Sequence, residues 1–252
     1  MKFVGNLSKT APNKLLKTDN GEEFGDFFFT LALIFNDLKG LMMMEELFRK
    51  NYDNPAQNEI SNHTGNYHGI SIQIERLYAG LVHEFLKFLS QDESKTILSS
   101  IPFQLIVKKI PTDSANHWKT IEALAMKSDY DHSSEFAQTL LLVRNNVSYH
   151  YHQSGPVLRQ GLRHFFNETE KSASNEYAYY SLGQNMSETR FYYIDAAVQG
   201  YMTRQLKNTN LDVGLDVLGN FSQYQIKIRK TMECMNDAIF HILRLHLRNQ
   251  LS

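Results

Sequence analysis

The chain has 252 residues, 42% of them hydrophobic and 12% aromatic, which is ample for a packed core in one large domain or two small ones and excludes disorder as the default. Lys and Arg number 26 against 27 Asp and Glu, a formal charge of -1, so any polyanion has to be met by a local patch, and a bulk nucleic-acid coat protein is excluded. The single Cys234 excludes an intrachain disulfide framework and a cysteine-based zinc site; it fits a reducing compartment and reads as a small buried hydrophobe.

Residues 1–20 are polar, carry Pro12 and several lysines, and read as a loose N-terminal arm to a single helical domain over 21–252. Thr18-Asp19-Asn20-Gly21-Glu22-Glu23 supplies capping residues and then first-turn carboxylates. Phe24, Phe27, Phe28, Leu31, Ile34, Phe35, Leu38, Leu41 and Met42 follow at three- and four-residue steps and predict a long helix to about Phe48. The Met42-Met43-Met44 run reads as adaptable core packing rather than a ligand groove. No apolar segment follows the N-terminus as in a signal peptide, and the apolar stretch 27–44 is interrupted by Asn36, Asp37, Lys39 and Gly40. A soluble cytoplasmic protein with no membrane span is therefore expected.

The stretch 51–69 is polar, contains Pro55, Gly65 and Gly69, and reads as a loop; its His63 and His68 have no carboxylate at ligand spacing and read as surface histidines, not metal ligands. A second long helix is predicted from Ile70 through Ile74, Leu77, Tyr78, Leu81, Val82, Phe85 and Leu89, in which His83-Glu84 lacks the second histidine of a zinc-protease helix. Prolines limit the elements between Asp92 and Pro111 to short helices, and 117–126 forms another, with Trp118, Ile121, Leu124 and Ala125 inward. A turn over 129–134 gives way at Ser133 or Ser134 and Glu135 to a further helix. Gly155-Pro156 is expected to reset the chain before a helix over 157–166 with Leu158, Leu162 and Phe165 inward. Residues 167–188 form a long loop or a small hairpin, which the pattern leaves open. Helix returns over 189–206, and after Asn208-Thr209-Asn210 a helix of about 50 Å covers 212–246, bent near Gly219. No strand alternation and no repeat of 20–50 residues occurs, so an all-α fold is expected.

One stretch concentrates chemistry. An apolar run, Leu140-Leu141-Leu142-Val143, leads into Arg144-Asn145-Asn146-Val147-Ser148-Tyr149-His150-Tyr151-His152. A guanidinium fork suited to phosphate precedes by six residues a side chain that exchanges protons near neutral pH, which suggests phosphodiester chemistry. An ion pair or a helix-end cap is the plain alternative. At 100° per residue, six residues place His150 well off the Arg144 face of a straight helix, so either the helix ends or distorts near Ser148, or two copies of the motif combine.

The order Arg, polar residue, four residues, His, closed by His150-Tyr151, resembles the signature of the HEPN superfamily, and within it the abortive-infection type. The resemblance implies an antiparallel helical bundle with its core over 22–166 and a C-terminal helical layer over 187–250. It also implies a homodimer in which two motifs face across a two-fold axis. The implied activity is a metal-independent endoribonuclease of toxin or phage-defence type, without cofactor, acting on single-stranded RNA; an antitoxin protein is a candidate partner whose identity the sequence leaves open. Arg144 would hold the scissile phosphate, Asn145 would orient the arginine or the phosphate, and His150 would act as general base on the 2′-hydroxyl or acid toward the 5′-oxygen. Tyr149, Tyr151 and His152 are candidates for orienting groups or base stacking. Arg159 and Arg163, with His164 beside them, offer a basic contribution or solvated surface charge, left open here. Lys227, Arg229 and Lys230 read as ordinary surface, and Tyr177, Tyr179, Tyr180, Tyr192 and Tyr193 as buried packing before base stacking. Because the superfamily includes inactive members, a silent nucleotide-binding or interaction module is the alternative.

Overall fold

Apolar residues at three- and four-residue steps turn three long segments into helices, and these carry the fold. The computed structural model describes residues 12–16, 19–55, 60–126, 135–148, 151–169, 178–184, 186–207 and 217–251. In chain order the helices are α1 (Pro12–Leu15), α2 (Glu22–Asn51), α3 (Asn62–Ser90), α4 (Asp92–Ser99), α5 (Ile101–Lys109), α6 (Thr112–Met126), α7 (Glu135–Val143), α8 (Tyr151–Thr169), α9 (Tyr192–Lys207) and α10 (Val217–Leu251). A π-helical turn, Arg144–Ser148, continues α7, and a 3-10 turn, Met186–Glu188, precedes α9. Among the described residues the only β pairing is an isolated antiparallel bridge between Ser181 and Arg190, so the protein is an all-α bundle.

α3 is the central rod. It packs against α2, α4, α6, α7, α9 and α10, and Tyr78, Val82, Phe85 and Leu89 on it are at most 1% exposed. α10 lies along α2, α6 and α9 and buries Ile228, Met232, Met235, Ile239, Ile242 and His246 at alternating steps of four and three, the stripe of a helix seated in a bundle. α2 contributes Phe27, which stacks on Phe88 at 5.2 Å and meets Phe103 edge-on at 5.7 Å, while Phe103 in turn packs on the fully buried Trp118 of α6. Each such side chain adds roughly 1.5–3 kcal/mol of transfer free energy. α2 nevertheless keeps much of its apolar surface outside: Phe29, Leu33, Met44 and Leu47 are exposed. By length and composition α2 is apolar enough to cross a membrane despite its interrupting polar residues.

Several boundaries differ from the sequence reading. The expected loop over 51–69 gives way to helix at Asn62, because Ser61 caps α3 by accepting from the Thr64 N–H at 3.2 Å. Gly65 and Gly69 therefore lie inside α3; a Cβ there would sit 2.5 Å from the Tyr192 ring and 2.1 Å from the Arg190 guanidinium, so they are close-contact positions and not breakers. α8 runs through Gly155-Pro156, where a reset was expected; near a helix start, proline forgoes a single backbone bond. α10 is seen from Val217 to Leu251, beyond the expected end at 246, and the earlier part of that expected helix lies outside the described residues, as do Tyr177 and the turn over 129–134. Of the undecided segment 167–188, residues 167–169 end α8, and Ser181 pairs with Arg190 just before α9.

α8 and α9 cross at a pair of glycines. A Cβ at Gly161 would fall 2.0 Å from the Ala197 carbonyl oxygen, and one at Gly200 would fall 2.2 Å from the Gly161 carbonyl oxygen. Those obstacles are backbone, which cannot rotate away. Gly200→Ala is therefore expected to lose about 1–3 kcal/mol, the usual cost of overpacking, read as a lower urea midpoint.

His246 is 8% exposed and stacks on Phe28 at 3.6 Å; burial pushes its pKa down from 6.5 to about 4. The neutral ring is the folded form, and the unfolded chain takes up the proton first as pH falls. Stability from this group is thus complete above about pH 6.5 and is lost as pH drops toward 4, by at most about 3 kcal/mol. Urea unfolding of wild type and His246→Leu across pH 7 to 4 checks this; the variant's midpoint should vary less over that window.

Candidate functional site

The site begins with what holds α2 and α3 apart. Glu45 on α2 and Glu75 on α3 both face α10, and Arg229 bridges them, Nη1 donating to Glu45 Oε1 at 2.6 Å and Nη2 to Glu75 Oε1 at 2.8 Å. Tyr78 Oη and Arg49 Nε also donate to Glu45. Burial works to raise the Glu45 pKa, but the bonds from Tyr78, Arg229 and Arg49 outweigh it and leave it below the usual carboxylate range. For Glu75 burial wins over Arg229, and its pKa is raised; its Oε2 is buried with no hydrogen-bond partner. Arg229, which read as ordinary surface, is thus the hub of a half-buried network, and its own pKa goes up because the two glutamates outweigh its desolvation. Nothing in the local pattern of Lys227-Ile228-Arg229-Lys230 marks which of the three cations turns inward. Lys227 instead sits 4.7 Å over the Phe136 ring.

The chemistry-bearing stretch sits on the π-helical turn that ends α7. In such a turn each backbone bond closes over five residues instead of four, a helix distortion next to Ser148 and a geometry common at functional sites; where it carries His150 lies outside the described residues. Asn145 and Asn146 are weak helix formers, and the turn is pinned by side chains from α8 and α9 and by a backbone carbonyl of α3. Asn146 Nδ2 donates to Tyr201 Oη on α9 at 2.8 Å and to the Leu142 carbonyl at 3.0 Å. Ser154 Oγ on α8 donates to the Asn146 carbonyl at 2.7 Å, and Ser148 Oγ to the Arg76 carbonyl on α3 at 3.4 Å.

Arg144 Nη1 donates to Asn145 Oδ1 at 2.9 Å, and Arg144 Nε to Glu84 Oε1 on α3 at the same distance. The two side chains of the ion pair are 29% and 50% exposed. Arg144 and Glu84 form one end of an open groove of ≈ 650 Å³ between α2 and α3, walled by Leu33, Gly40, Met44 and Leu77. A second cavity of ≈ 440 Å³ adjoins it, sharing Met44 and Leu77 and adding Phe48, Arg76 and Ser148. Met44 is 56% exposed in this groove, so the methionine run, expected in the core, ends on a groove wall.

Of the residues singled out in the sequence, Arg144 and Asn145 are brought together. Tyr149 and His150 lie outside the described residues; Tyr151 and His152 open α8, with side chains outside the description. Arg159 and Arg163 are exposed on α8 and line neither cavity. Tyr179 and Tyr180, expected in buried packing, are 45% and 63% exposed and share a small cleft with Tyr192. His63 Nε2 donates to the Asp53 carbonyl at 2.9 Å and the ring stacks on Tyr52, and among the described residues no three His, Cys, Asp or Glu side chains converge as a metal site would require. Sequence reading weighed Glu84 only as part of an incomplete zinc-protease helix and passed over Arg76; both are far from the motif in the chain, and only the packing of α3 on the turn joins them to it. Comparison with family models, with curated proteins and with solved structures returned no match.

Because Arg229 neutralises two buried carboxylates, Arg229→Met should cost about 3–5 kcal/mol, the penalty for stranding buried charge. Chemical denaturation at pH 7 measures it. Adding Glu75→Gln should recover part of the loss, since Glu75 is the more deeply buried of the two.

Proposed function

We propose that the protein is a metal-independent endoribonuclease of toxin or phage-defence type, which cuts single-stranded RNA by 2′-hydroxyl attack at a HEPN-like site built on Arg144, Asn145 and His150. The observation that supports this reading is the Arg144–Asn145 hydrogen bond on a π-helical turn that opens on an accessible groove. Asn145 fixes the plane of the guanidinium, so the fork meets a phosphate with little left to reorganise. The Glu84 partner is no obstacle: an ion pair this exposed is worth roughly 0–1 kcal/mol, less than a bidentate contact to a phosphate.

In this reading the 2′-oxygen attacks phosphorus as His150 takes its proton, and the 5′-oxygen leaves with a proton from the second copy's motif or from water. The products are a 2′,3′-cyclic phosphate and a 5′-hydroxyl. Arg144 stabilises the charge that builds on the non-bridging oxygens. Pairing of two copies fits the exposed apolar residues Phe29, Leu33, Met44 and Leu47 of α2, two pairs on either side of the polar groove residues Asn36 and Asp37, as anchor points for a second copy. A free, unpaired Cys234 thiol suits the cytoplasm, and an antitoxin protein is the regulatory partner this reading calls for. The Glu84–Arg144 pair favours one second reading, a module that holds a phosphate without cleaving, because a carboxylate at the anion site lowers its affinity for the transition-state charge.

Incubation with single-stranded RNA in EDTA separates the two. Arg144→Ala and His150→Ala should each slow cleavage by about 10²–10⁴-fold, and an all-deoxy oligonucleotide should remain intact. Equal cleavage by all three proteins would sink the assignment, and RNA binding without cleavage by wild type would select the silent module.

A further inference from the structure

We infer that Arg76 is a second phosphate anchor, holding the RNA chain in the cavity beside the Arg144 groove with a neighbouring base laid on Phe48 and Leu77. This rests on the RNA-binding reading above and adds to it a residue and a direction for the strand.

Four arginines among the described residues are half-buried: Arg76, Arg144, Arg190 and Arg229. Three of them have carboxylate partners. Arg144 pairs with Glu84, Arg190 with Asp195 at 3.0 Å, and Arg229 with Glu45 and Glu75. Among the described residues the Arg76 guanidinium pairs with no carboxylate, and its Nε is buried without an acceptor. The buried Nε stays out of reach, but the terminal nitrogens are not buried and have no acceptor among the described residues either, so a guanidinium lining a cleft in this way suits a ligand that brings the acceptor to those nitrogens.

The cavity states what that ligand is. Met44, Phe48, Ile70, Ile74 and Leu77 make it apolar, Gln73 and Ser148 add neutral polar groups, and Arg76 is its single charged residue. A cleft with one cation, no carboxylate and an aromatic wall suits a phosphate joined to a base. Its placement supplies the rest of the argument. The two cavities share Met44 and Leu77, Arg144 opens the π-helical turn at one of them, and Ser148 closes the turn at the other, where its hydroxyl donates to the Arg76 carbonyl. A strand lying along the α2–α3 groove therefore meets Arg144 and Arg76 in succession.

The test uses a fluorescent 2′-O-methyl oligoribonucleotide, which binds without being cut, titrated across a salt series against wild type, Arg76→Met, Arg76→Lys and Arg144→Ala. Arg76→Met is expected to weaken binding at least about fivefold and to lower the slope of log affinity against log salt by about 0.7, one phosphate on a single strand. Its melting midpoint should stay level or rise, because the variant removes an unpaired buried donor and keeps the stem. Arg76→Lys should restore the slope and part of the affinity. Unchanged affinity and slope in Arg76→Met, with loss in Arg144→Ala, would overturn the inference and leave the ribonuclease reading standing. Absence of binding by wild type would overturn the RNA reading itself, and the inference with it.

Discussion

Arg229 holding Glu45 and Glu75 at once is the contact on which the rest of the architecture leans. It joins three helices that the chain visits far apart, and it does so with charges that are expensive to bury unless every one is met. Glu45 is met fully, by Tyr78, Arg49 and Arg229, and its pKa is held down against the pull of burial. Glu75 is met on one oxygen and keeps a raised pKa. The network therefore does more for position than for stability: hydrophobic packing on α3 and α10 supplies the driving force, and the ions determine how α2 is set against α3. That spacing is the width of the groove.

How much of this was legible in the sequence follows from the range of each signal. Three- and four-residue apolar steps are local, and α2, α3, α6, α9 and most of α10 can be read from them. Gly65, Gly69 and Gly155-Pro156 misled because glycine and proline were weighed as breakers, while at Gly65 a ring from α9 and at Gly69 a guanidinium take the space of a side chain, and α8 carries Pro156 in its second turn at the loss of one backbone bond. The Gly161–Gly200 crossing has the same character, since nothing near either glycine in the chain announces the other. In the site, Arg144 and Asn145 could be read because they are adjacent and stand out from an apolar run. Glu84, Arg76 and Arg229 could not, because a charged residue on a helix looks the same whether it faces water, a partner or a cleft, and only tertiary packing separates these cases.

The π-helical turn joins the local signal to the long-range packing. A residue inserted into a helix forfeits regular bonds, and here the forfeited acceptors are repaid by side chains: Asn146 caps the Leu142 carbonyl, and Ser154 caps the Asn146 carbonyl. Those repairs come from α8 and from the turn itself, while Tyr201 of α9 and the Arg76 carbonyl of α3 hold it in place. A straight helix through the same residues would need none of this. The turn is a feature maintained by its surroundings, in the way strained geometry at working sites is usually maintained.

Two unsatisfied groups lie side by side on α3. Glu75 Oε2 lacks a donor and Arg76 Nε lacks an acceptor, and the residues are neighbours in the chain. They are complementary, yet consecutive positions on a helix point about 100° apart and cannot pair. Glu75 turns toward α10 and is claimed by Arg229; Arg76 turns away from that network. Each orphan carries a deficit of roughly 1–3 kcal/mol. The fold carries both deficits on the one helix that also walls the groove and supports the motif turn. On the Glu75 side the deficit is tied to the network that joins α2, α3 and α10, and on the Arg76 side it belongs to the one charged residue that lines the adjoining cavity. The same short stretch of α3 thus links the constraint that holds the helices apart to the charge presented between them.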